Sequence, residues 1–93
     1  MKKDVSGARH FREAVANTPQ DIRQQMEWSF HIADEIDDAL KAKGMTQKEL
    51  ASALGTSAAA VSRWMSGGHN FTLSTLARIS AVLGVPLIQV VKN

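Results

Sequence analysis

The stretch from Thr46 to Gly67, TQKELASALGTSAAAVSRWMSG, constrains this chain more than any other. Thr46 is a good helix N-cap, and Glu49 three residues later completes a capping box. Leu50, Ala51 and Leu54 fall on one helical face. Ala51 has almost no side chain there, so a second helix can come close. Gly55 stands where a helix ends in a left-handed residue. Thr56 or Ser57 then caps a second helix running through Ala58, Ala59, Ala60, Val61, Ser62, Arg63 and Trp64. Val61, Trp64 and Met65 point its apolar side inward, and Ser66, Gly67 and Gly68 stop it. The spacing predicts two short helices at a tight turn, packed face to face.

The rest of the chain must complete a core around that pair. With 93 residues, 44% of them apolar, one domain with a small core is expected. Thr18-Pro19-Gln20-Asp21 reads as N-cap, first-turn proline and first-turn acid, and predicts a long helix from about Pro19 to Lys43, ending at Gly44. Its apolar stripe is Ile22, Met26, Ala33, Ile36 and Leu40, with Phe30 on the edge. Trp28, Ile32 and Ala39 lie about 80–100° around the axis. They either fold over the domain's edge, with the N-terminal segment against them, or bury against another chain. Residues 1–17 stay open among a short amphipathic helix through Phe11, Ala14 and Val15, a basic arm of Lys2, Lys3, Arg9 and Arg12, and a frayed terminus.

After a His69-Asn70-Phe71 loop, Thr72 or Ser74 caps another helix, apolar through Leu73, Leu76, Ala77, Ile79, Val82 and Leu83 and ending near Gly84. The tail VPLIQVV is β-branched and holds Pro86, so it reads as a short edge strand. An unpaired edge this apolar invites pairing, so Leu87 to Val91 is expected to meet the same segment of a second copy.

Net charge is only +2, but it is unevenly spread. Residues 1–20 carry +2, residues 21–43 carry −3 and residues 44–93 carry +3. The acidic run Asp34, Glu35, Asp37 and Asp38 sits on the long helix, whose acidic face phosphates would repel. Cysteine is absent, which excludes disulfides and cysteine metal sites. His10, His31 and His69 lack metal-ligand spacing, the carboxylates have no nucleophile beside them, and no glycine loop is built to cradle phosphate. These observations predict no enzyme, no cofactor and no metal. No apolar run approaches a membrane span and MKKDVSGARH has no apolar leader segment, so a cytoplasmic protein is expected.

Thr46, Gln47, Leu50, Ala51, Gly55, Val61, Ser62, Arg63, Trp64 and Gly67 stand in register with the phage repressor/Cro-like (Xre-type) helix-turn-helix family, which this chain resembles from about Met45 to Val85. The resemblance implies a double-stranded DNA partner. It places Ser57, Ala58, Ala59, Ser62 and Arg63 toward the major groove, with Arg63 on guanine O6 and N7. It sets Thr46 and Gln47 on a backbone phosphate, and Ser66, Gly68, His69 and Asn70 near phosphates on the other side, with Lys48 as an electrostatic helper. Ala58 and Ala59 either rest on thymine methyls or are helix formers on an open face. Relatives with long polar readers differ here, which shifts weight to Arg63, the serines and DNA shape.

WMSGGHNFTLSTLARISAVLG is also similar to HigA-type antitoxins of toxin–antitoxin modules. That likeness implies a homodimer that represses its own operon and blocks a small ribonuclease-like toxin protein. The alternative is a protein-interaction module with little DNA affinity. The fold expected is all-α: a compact helical bundle with a central helix-turn-helix, a long preceding helix and a short C-terminal strand. Residues 1–18 form an arm or short helix, and residues 19–93 form the domain with its C-terminal dimerisation segment.

Overall fold

The computed structural model describes residues 19–91. It is all-α there: α1 spans Gln20–Lys43, α2 Gln47–Leu54, α3 Ala58–Met65 and α4 Leu73–Leu83. The long helix begins one residue later than the sequence suggested. Pro19 is the N-cap itself, with ψ 144°, and not the first helical residue. Thr18 and the alternatives for residues 1–17 fall outside the described residues.

Each helix sends at least one large side chain to complete burial. These are Ile36 from α1, Leu50 from α2, Val61 from α3, and Ile79 and Leu83 from α4. Ala39, Leu40, Ala51, Leu54, Trp64, Leu76 and Leu87 close the core around them. Burying a side chain of this size removes about 1.5–3 kcal/mol of exposed apolar surface cost. Ala51 sits in that core without filling it, so α2 and α3 come together closely as its size predicts.

The stripe expected on α1 is only half used. Ala33, Ile36 and Leu40 are buried, but Ile22 and Met26 of the first two turns remain exposed, and Phe30 is half-exposed beside Gly67. The position that continues the buried stripe between Met26 and Ala33 is Ser29. The second strip splits as well: Ile32 packs on the core, whereas Trp28 is 62% exposed. On α4, Leu73 and Ala77 face outward, leaving Leu76, Ile79 and Leu83 as its buried side.

The C-terminal strand is corrected. No strand occurs among the described residues. A strand needs a ladder partner, and this segment meets α4 instead: Leu87 is buried in the chain's own core and its N–H donates to the Ser80 hydroxyl at 3.3 Å. Ile88, Val90 and Val91 stay exposed.

Leu50→Ala should lower stability by about 2–5 kcal/mol in urea denaturation, as removal of a fully enclosed side chain does. Trp28→Ala, by contrast, should change it by less than about 0.5 kcal/mol.

Candidate nucleic-acid interface

Backbone chemistry fixes α2 at both ends and starts α3. Thr46 takes an extended conformation, accepts the Glu49 N–H on its hydroxyl at 3.0 Å, and donates its own N–H to the Glu49 carboxylate at 2.8 Å. The hydroxyl is an acceptor in this box, so its proton is left to donate elsewhere. At the far end Gly55 adopts φ 70°, and the Thr56 N–H reaches back to the Ala51 carbonyl at 2.9 Å. Ser57 then caps α3, accepting the Ala60 N–H at 3.1 Å. The Arg78 guanidinium donates to the Leu54 carbonyl, placing a cation at the negative end of α2 and tying α4 to the turn.

This frame settles which way α3 faces. Val61 and Trp64 are buried, so the opposite side presents Ala58, Ala59, Ser62 and Arg63 to solvent. Ala59, Ser62, Arg63 and Ser66 follow one another at spacings of three, one and three, along one edge of that side. Arg63 is its one long charged side chain. Thr46 and Gln47 lie exposed where α2 begins, beside Lys48. Amide N–H groups of that first turn have no helical acceptor and carry the positive end of the helix dipole.

Beyond α3 the chain turns sharply. The Ser66 hydroxyl donates to the Arg63 carbonyl at 2.8 Å, and Gly67 and Gly68 take φ 87° and 72°. Ser66, Gly68 and Asn70 are exposed, but His69 is partly buried. Its ring meets Phe71 edge-on at 4.8 Å between centroids, and Trp64 lies 6.1 Å from Phe71. The His69 carbonyl accepts a hydrogen bond from Ser29 of α1 at 2.6 Å. His69 therefore anchors the loop more than it presents it.

Acidic side chains gather on α1. Asp34, Glu35 and Asp38 are exposed on α1. Asp37 holds Lys41 at 2.9 Å, and this hydrogen-bonded ion pair raises the Lys41 pKa above its ordinary value. Both partners are largely in solvent, where such pairs contribute little. Among the described residues no group of His, Asp and Glu is arranged to hold a metal, and no helix is long and apolar enough to cross a membrane.

Sequence reasoning passed over two residues. Ser29 was legible as the polar gap in the α1 stripe. Arg78 carried no signal, because nothing in a charged residue on a helix says which carbonyl it will reach.

A family model described as helix-turn-helix matches residues 36–90, more than half of the chain. No curated protein and no solved structure matches it.

Gly55→Ala should cost about 1–2 kcal/mol in thermal or urea denaturation. A methyl group there meets nothing within 4 Å, so left-handed strain alone sets the loss. Gly55→Asn should lose less, since asparagine tolerates that conformation better.

Proposed function

This chain belongs to the Xre/Cro-like helix-turn-helix family, a family of DNA-binding regulators, and on that premise we propose that it is a sequence-specific repressor acting as a homodimer. The observation that carries the reading is the outward face of α3. Ser57, Ala58, Ala59, Ser62 and Arg63 are all exposed, on a helix held from behind by Val61 and Trp64. Small side chains let such a helix sit deep in a major groove about 12 Å wide.

The roles divide by chemistry. Arg63 bonds guanine O6 and N7 through two parallel N–H groups. Ala58 and Ala59 rest on thymine methyls, and Ser57 and Ser62 bond base edges or phosphate. Thr46 and Gln47 hold a phosphate at the start of α2, through the Thr46 hydroxyl proton and the first-turn amides that the capping box leaves unused. Ser66 and Asn70 bracket the helix from the other end. With so few readers, DNA shape supplies part of the selectivity.

A domain half carrying +3 neutralises few phosphates, so one copy binds weakly. Two copies on a palindrome with half-sites about 34 Å apart double the contacts. Ile88, Val90 and Val91 are the exposed apolar residues beside the anchored Leu87, and they supply the contact between copies. The antitoxin role belongs to the same proposal. A toxin protein would take the apolar surface of α1 around Trp28, which stays exposed. No cofactor is needed for any of this.

Gel shift on the DNA upstream of the gene should show binding by the wild type. Arg63→Ala should lose about 1–3 kcal/mol and relax preference at one base pair. Equal binding by both, or none by the wild type, overturns the reading. Sedimentation at micromolar concentration should give a dimer, and Ile88→Asp should give a monomer with weaker operator binding. A wild-type mass of one chain would remove the dimer.

A further inference from the structure

Ser29 is 3% exposed and is the one polar residue buried among the described residues. A buried hydroxyl stays only where it is bonded. Its single proton is shared between two carbonyls, that of His69 at 2.6 Å and, on its own helix, that of Gln25 at 2.8 Å. The first joins points 40 residues apart. Next to it Phe30 lies against Gly67, so close that a Cβ on Gly67 would fall 2.0 Å from the ring. Gly67 also holds φ 87°, which disfavours any side chain. Two consecutive residues of α1 thus grip both halves of one loop, Phe30 its start and Ser29 its end. That loop leaves α3 after Met65, two residues past Arg63, and carries Ser66 and Asn70.

We infer that Ser29 is a positioning residue for DNA binding: its hydrogen bond to the His69 carbonyl, beside Phe30 on Gly67, sets the loop 66–70 at the height from which it meets phosphate. This rests on the functional reading above, since it concerns contacts made on the same duplex. The chemistry is specific. A carbonyl that accepts from Ser29 fixes the peptide plane between His69 and Asn70, and therefore the direction of the Asn70 N–H. Asn70 is exposed, so that N–H and its side-chain amide are free to donate to a phosphate oxygen. Ser29 touches no DNA itself.

The test compares wild type, Ser29→Ala and Phe30→Ala. Alanine is a strong helix former, so Ser29→Ala keeps α1 folded, which circular dichroism checks. In the free protein, amide resonances of residues 67–70 should shift in Ser29→Ala while those of 58–62 hold. On an operator duplex, affinity should fall about 3- to 10-fold, the range of one lost hydrogen bond. The slope of log affinity against log salt should flatten by about one, the signature of a lost phosphate contact. Phe30→Ala should move the same resonances and flatten the same slope. Unmoved loop amides, or weaker binding with an unchanged slope, overturn the inference. If the wild type binds no duplex, the functional reading fails instead, and the loop resonances alone decide whether Ser29 sets the loop.

Discussion

Everything in this domain follows from the close seating of α3 on α2. Ala51 leaves the space, Val61 and Trp64 fill it from the other side, and Gly55 takes the left-handed conformation that brings the two helices around. Remove any one and α3 has no reason to hold a fixed face outward. The core is small, and its large, fully enclosed side chains come from all four helices among the described residues. The orientation of α3 is therefore tied to the stability of the whole. Arg78 adds a link that packing alone would not supply, by fixing α4 to the last carbonyl of α2.

Much of this was legible because caps and glycines act locally. Thr46 with Glu49, Ser57, Thr72 and the glycines at 44, 55 and 84 need only a few neighbours to do their work, and all occupy the positions their chemistry predicts. What the sequence could not convey is which turns of a helix its partners cover. The α1 stripe resumes beyond Ser29 through Met26 and Ile22, yet nothing in its periodicity says that those turns stay exposed. The tail failed for a related reason. β-branched residues favour extended backbone, but a strand exists only with a partner, and Leu87 found the chain's own core. At the site, the family resemblance turned Ser57, Ala58, Ala59, Ser62 and Arg63 outward, and all five are exposed. The inward pull on His69 was not legible, because it depends on a hydroxyl 40 residues away.

The arrangement also divides labour between two surfaces. α3 offers a face of small side chains with one arginine, suited to a groove, while acidic residues crowd the exposed side of α1. The first turns of α1 carry the apolar surface that the core leaves uncovered, and the same turns hold the loop beyond α3 through Ser29 and Phe30.

The most direct measurement is amide chemical-shift mapping on titration with the gene's upstream duplex. The account requires the largest changes at Ala58, Ala59, Ser62 and Arg63, with smaller ones at Gln47 and Asn70. Changes confined to the first turns of α1, with α3 silent, would contradict it.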